Sequence, residues 1–261
     1  MADPAEAPRP IVVFPRRKPA RVAASITSRC YAAARLVLPE RWLLRFLLEA
    51  ARLSRTLAWE HIWFRRPAED ALALSRPHTL PFLMSAIPAG SSVIDLGGGS
   101  GVIARAIAPR AGRVVVVDVD SRNLARARSA STGNPNIEFI HGEMLDVLER
   151  TGPFDVALLL HGLGYWESPV DVLRSIFKHA QRVVLEVPDF AADPLNTARV
   201  AEDLPSWSDA LYVAEFDATT LARCVTAAGG TLSCLEARHG QLLATADRRE
   251  SSMDTSRSTS L

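Results

Sequence analysis

Val93-Ile94-Asp95-Leu96-Gly97-Gly98-Gly99-Ser100-Gly101 is the stretch on which the fold turns. A short apolar run carrying one acid passes straight into glycines. Glycine permits backbone conformations closed to other residues and lets a ligand approach the main chain. The next residues, Val102–Ala108, have helical apolar spacing. Strand, glycine turn and helix in immediate succession open a βαβ unit. In open α/β sheets, ligands bind at the C-terminal strand ends where the strand order reverses.

Working outward, the same alternation continues. Val114–Asp118, Ile137–His141, Val156–Leu160 and Val183–Val187 are short runs rich in Val, Ile or Leu, as expected of strands buried on both faces. Helices are expected near Arg122–Ser129, Leu145–Glu149 and Val170–His179. This implies a parallel sheet. The end differs: Asp217 reads as the N-cap of a helix over Ala218–Ala228, with Gly229-Gly230 as its stop. Thr231–Glu236 and Gln241–Ala246 then form a closing hairpin through Arg238-His239-Gly240. The expected fold is α/β: a doubly wound, Rossmann-like, seven-stranded and mostly parallel sheet with helices on both faces, plus an N-terminal helical segment.

Two cofactor classes compete for the glycine loop. The dinucleotide pattern G-x-G-x-x-G aims a helix N-terminus at a pyrophosphate. Counted from Gly97 and Gly99, its third glycine position is Val102, so the pattern fails. The loop instead has Asp95 at the strand end, then Gly97, Gly99 and Gly101 at every second position. An acidic strand end suits the cationic amino group and sulfonium of S-adenosylmethionine. Asp118 ends the second strand, where a carboxylate can accept both ribose hydroxyls of either cofactor. Asp120 and Ser121 are the better-placed caps for the following helix.

Asp95, Gly97, Gly99, Gly101 and then Asp118 resemble the class I S-adenosylmethionine-dependent methyltransferase family. The resemblance runs from about Ile87 to Ala246 and does not cover the N-terminal quarter. It implies that the first loop lines the methionine end of the cofactor and that Asp118 holds the ribose. It further implies an acid near the adenine after the third strand. Gly142-Glu143-Met144 stands there, so Glu143 takes that part, with Met144 against the ring. Glutamate occupies a place where aspartate is commoner. The closing hairpin resembles the reversed final strand of the family.

In that family the segment after the fourth strand faces the transferable methyl. Here it reads Leu160-His161-Gly162-Leu163-Gly164-Tyr165-Trp166-Glu167-Ser168-Pro169. It lacks the [Asp/Asn]-Pro-Pro-aromatic pattern of members that methylate amides and exocyclic base amines, and the Pro-Cys of those that methylate pyrimidine carbon. Both departures argue against DNA methylation and against cytosine carbon methylation. A hydroxyl nucleophile needs a base, a part the histidine side chain suits, and His161 stands at the strand end. A purely structural role for His161 is the competing reading. His141 is the second base candidate, and Tyr165, Trp166 and Glu167 are candidates for an acceptor pocket. The expectation is O-methylation of a small-molecule or sugar hydroxyl. Two alternatives stay open: a nicotinamide-dependent oxidoreductase on the same fold, and an RNA-modifying or membrane-associated methyltransferase recruited by a basic arm.

That arm is visible in the charge distribution. The chain of 261 residues has a net charge of +1, but Met1 to Arg66 carry 13 Lys/Arg against 5 Asp/Glu. A basic segment attracts phosphate, carboxylate or an anionic surface. Four parts are expected: a disordered basic tail (1–20), a helical lid or cap (21–86), the cofactor-binding domain (87–247) and a disordered tail (248–261). The clearest helix of the cap runs from Pro39 to about Trp59. Its polar side is Arg41, Arg45, Glu49, Arg52 and Arg55; its apolar side, Leu43, Phe46, Leu47, Ala50, Leu53 and Leu57, reads as docked on a core. A membrane-surface helix has the same pattern, so peripheral membrane contact and a homodimer through this helix both stay open. Trp59, His61, Trp63 and Phe64 form an aromatic knot beyond it.

The three cysteines, Cys30, Cys224 and Cys234, give neither a disulfide framework nor a zinc site, and no metal-ligand spacing appears. With no signal peptide and no apolar run of the roughly 18 residues a span needs, the expected location is the cytoplasm. Abundant arginine beside only two lysines hints at a GC-rich, bacterial genome.

Overall fold

The computed structural model describes residues 30–31, 33–65, 67–202, 204 and 213–249, so both expected tails, apart from 248–249, lie outside the described residues. The chain divides into two compact units, residues 1–50 and 51–261.

In the second unit, β1 (Ser92–Leu96), β2 (Arg113–Asp118), β3 (Ile137–His141), β4 (Phe154–Leu160) and β5 (Ala180–Pro188) are parallel. β6 (Gly230–Arg238) and β7 (Gln241–Arg248) run antiparallel, β7 pairing with both β5 and β6. The order is β3-β2-β1-β4-β5-β7-β6. The chain therefore reverses direction across the sheet between β1 and β4, which is the switch point where a ligand is expected. All seven expected strands form, and several run longer than their apolar runs. The additions are polar or terminal, such as Asp155 in β4, whose carboxylate accepts from the Ser92 amide at 2.8 Å.

The central strands are apolar on both sides because helices cover both faces. One core gathers Ile94, Val115, Val117, Leu159 and Leu185 under α7 (Pro169–His179) and α9 (Ala218–Ala227). The other gathers Val93, Val114, Val116, Leu158 and Val184 under α3 (Thr79–Ala86) and α4 (Val102–Ile107). α5 (Ser121–Ala130) is capped by Asp120, which accepts from the amides of Arg122 and Asn123. α6 (Met144–Thr151) follows β3. Asp217 caps α9 as expected, through a full capping box with Thr220. Gly229 makes the turn at φ 90° and Gly230 already belongs to β6. The closing hairpin turns on two residues with left-handed φ, His239 at 48° and Gly240 at 79°.

Two expectations about the first helix are corrected. α1 spans Glu40–Arg65, six residues past Trp59, because the aromatic stretch continues the helix and Pro67 stops it. Its apolar side is not docked as a whole: Leu43 and Leu48 are buried, whereas Trp42, Phe46, Leu47, Leu53 and Leu57 are exposed. Leu48 did not belong to the expected apolar side. The side chains of Trp59, Trp63 and Phe64 lie outside the described residues. α2 (Ala68–Ser75) and α3 resolve the rest of the helical segment, and α8 (Leu195–Ala201) was not anticipated.

Candidate functional site

The glycine loop is held to the sheet by its own backbone. The amides of Gly97 and Gly98 both donate to the Val117 carbonyl, at 2.8 and 3.1 Å. Gly97, Gly99 and Gly101 have φ of 77°, 53° and 68°, values that favour glycine. Gly98 is needed for space: a Cβ there would stand 2.6 Å from Val116 Cγ1 and 2.7 Å from Asp95 Oδ2.

Asp118, at the end of β2, stitches the loop to the next turn. Its Oδ2 accepts from the Gly99 amide at 2.9 Å and its Oδ1 from the Asp120 amide at 2.8 Å. A carboxylate has about four lone-pair positions, so each oxygen can take a further donor.

Asp95 lies beneath the loop rather than on an open wall. It is buried, and its Oδ2 has no hydrogen-bond partner among the described residues. Burial pushes its carboxyl up to about 7; the Asp118 charge raises it too, while the Arg76 guanidinium pulls it down.

A cavity of about 530 Å³ opens at these strand ends. It brings together Gly97, Asp118, Glu143, Met144 and His161 from the expected set, along with Tyr165 and Trp166. Asp95, Gly99 and Gly101 do not line it: Asp95 supports the loop from below, and Gly101 begins α4 with its Cα packed toward Ala127 and Phe139. Glu143 is exposed at the start of α6 with no capping bond of its own. His141 is engaged elsewhere, its Nε2 2.9 Å from the Val119 carbonyl, which requires a proton on that nitrogen. Glu167 is exposed and outside the cavity.

His161 sits at the mouth of β4 with a left-handed φ of 61°, unusual for a residue with a side chain. Its amide donates to the Glu186 carbonyl at 2.7 Å, and its Nε2 stands 3.4 Å from Glu186 Oε1. Glu186 is buried within β5 and is met from the other side by the α2–α3 connection. Thr79 Oγ1 donates to its carboxylate at 3.0 Å, and Arg76 Nη1 lies 3.2 Å from Oε2. Burial alone pushes the Glu186 carboxyl up. His161, close by at 3.4 Å, with Arg76 and Thr79, outweighs it and holds the group below its ordinary value, so it is ionised.

Glu186, Arg76 and Thr79 were not among the expected site residues. The signal for Glu186 was present: one acid inside Val183-Val184-Leu185-Glu186-Val187, where a buried charge must find partners. Its partners could not be read, because they come from a segment about 110 residues earlier. Among the described residues no three His, Cys, Asp or Glu side chains are grouped as metal ligands.

Residues 93–185 match a family described as "Methyltransferase domain". A demethylmenaquinone methyltransferase from Clavibacter sepedonicus is 28% identical over 119 residues, 44% of this chain and 48% of the relative. A strychnine O-methyltransferase from Strychnos nux-vomica is 31% identical over 96 residues, 37% of this chain and 25% of the relative. The matches thus span about half or less of these relatives' lengths. Among solved structures, magnesium protoporphyrin IX methyltransferase from Synechocystis PCC 6803 superposes with a TM-score of 0.57 at 12% identity, over 78% of this chain and 99% of that one. At that identity the likeness is one of fold.

Proposed function

The domain at residues 93–185 belongs to the class I S-adenosylmethionine-dependent methyltransferase family, and from that premise we propose that this protein transfers a methyl group from S-adenosylmethionine to a hydroxyl of a small molecule. The observation that carries the acceptor half of this reading is His161 on the cavity wall, backed by the buried Glu186.

When bound, the cofactor supplies an activated methyl on a good leaving group; the chain supplies binding, orientation and electrostatics. Gly97, Asp118, Glu143 and Met144 are the cavity residues that would hold it. Asp118 has oxygen lone pairs left for ribose hydroxyls, and Met144 gives an apolar, adaptable contact for a planar ring. Asp95, Gly99 and Gly101 act one step back, by shaping the loop.

On the acceptor side, Glu186 fixes His161. The Glu186 carboxylate facing Nε2 orients the imidazole and favours a proton on that side, so that the ring is set as a base toward an acceptor hydroxyl. Ionised Glu186 also stabilises the imidazolium formed when the hydroxyl proton arrives. Leu160, Tyr165 and Trp166 offer the acceptor a mainly apolar wall that limits water around the nucleophile. One relative being an O-methyltransferase by name accords with this choice. The segment at 76–79 serves the site through Glu186, which is the part of the expected cap that this mechanism uses.

The test is release of S-adenosylhomocysteine by the full chain across a panel of hydroxylated small molecules. On the acceptor so found, His161→Ala should lower kcat by ~10²–10⁴ with cofactor affinity unchanged. Glu186→Gln should cost ~10–100-fold and alter the pH profile. Full turnover by His161→Ala removes the base role, and failure to bind S-adenosylmethionine in calorimetry removes the cofactor assignment.

A further inference from the structure

Ten of the seventeen exposed large apolar side chains among the described residues fall between 31 and 57. Within α1 the spacing of Trp42, Phe46, Leu53 and Leu57 puts all four in an arc of about 60°. Trp42 is 69% exposed and Phe46 66%. Just ahead of the helix, Leu36 and Val37 are 88% and 81% exposed. By the same helical spacing, Arg41, Arg45 and Arg52 follow one flank of that arc. A soluble surface rarely leaves so much apolar area uncovered without using it.

We propose that this stripe is a docking surface for an anionic lipid membrane, on which α1 lies in the interfacial plane. The choice of occupant rests on charge. Residues 1–66, the stretch of sequence that holds the stripe, carry a net +8. An anionic lipid surface offers the stripe an apolar medium and attracts the net positive charge of this segment. Pairing two copies through the same segment would instead bring two basic surfaces face to face. Tryptophan, as at Trp42, favours the headgroup depth. The helix lies on the membrane and does not span it: no helix among the described residues is long and apolar enough to cross.

The proposal concerns recruitment and does not depend on the acceptor. Its test is co-sedimentation of the full chain with vesicles of phosphatidylcholine, with and without phosphatidylglycerol. Binding should require the anionic lipid and fall as salt is raised, a readout available on the unaltered protein. Trp42→Ser with Phe46→Ser should weaken vesicle binding ~10-fold or more, while S-adenosylhomocysteine affinity and the circular dichroism spectrum stay unchanged. Equal partition onto neutral and anionic vesicles overturns the proposal, as does undiminished binding by the double variant. So does a salt-stable dimer that leaves vesicles unbound and that the double variant dissociates.

Discussion

Asp95 is the residue whose placement has the sharpest thermodynamic consequence. Its carboxyl is raised from 3.8 to about 7 by burial, with Asp118 adding to the shift and Arg76 opposing it. The folded state therefore holds this proton more tightly than the unfolded chain does. The stabilisation is complete below pH ~4 and is lost as pH rises through ~7, an effect of order 4 kcal/mol. Asp95→Asn removes the titration. Its melting temperature should exceed that of the unaltered protein above pH ~7, and its stability should lose this falling limb between pH ~4 and 7. A wild-type melting temperature flat across that window would contradict the assignment. At this scale the site was half legible. Asp95, the glycines and Asp118 stand in one short motif, whereas Glu186 acts on His161 only because β4 and β5 are neighbours. Chain spacing carries no record of that pairing. Nor could the motif say which of its members would line the cavity: Asp95 alternates to the far side of the strand end from Leu96 and ends up underneath.

The first βα unit works as a single device. Gly101 has φ 68°, and a Cβ on it would stand 3.1 Å from Ala127 Cβ and 3.3 Å from Phe139 Cε1. Gly101→Ala combines a left-handed alanine, ~1–2 kcal/mol, with crowding against α5 and β3. Melting should fall by several degrees, and cofactor affinity should fall with it, because the loop shifts; unchanged affinity would separate the loop from the binding site. Elements of this domain were readable because the central strands are apolar runs between polar turns and two of the helices carry a side-chain cap, Asp120 and Asp217. Their ends were less so. β4 begins at Phe154 and includes Asp155, held by Ser92 on the neighbouring strand, a tertiary reason for an extended polar residue. α1 is the converse case. Its periodicity promised a docked helix, but periodicity reports only that a stripe exists, not what covers it.

At the scale of the molecule, the sheet order puts the cavity across the β1–β4 reversal, with residues from the ends of β1, β2 and β4 and from the turn after β3 around it. A ligand bridging four connections of one fold stabilises the whole. S-adenosylhomocysteine at a hundredfold excess over its Kd should add ~2.7 kcal/mol, a rise of ~5–10 °C for a domain of this size, and NADH should add nothing. The reverse result would favour the oxidoreductase reading that the failed third glycine position set aside. The fold class was legible from the alternation of runs alone. The position of β7 was not, since an antiparallel hairpin could have added to the sheet in either order.

That position governs how the protein can be made. β7 is the last strand among the described residues, yet it lies inside the sheet, pairing with β5 through Val187↔Leu242 and its neighbours and with β6 on the other side. While a ribosome is still delivering residues 230–248, β5 has an open, apolar edge with nothing to close it. Nascent chains stalled or cleaved before Gln241 are therefore the species on which chaperones, or neighbouring unfinished chains, would act.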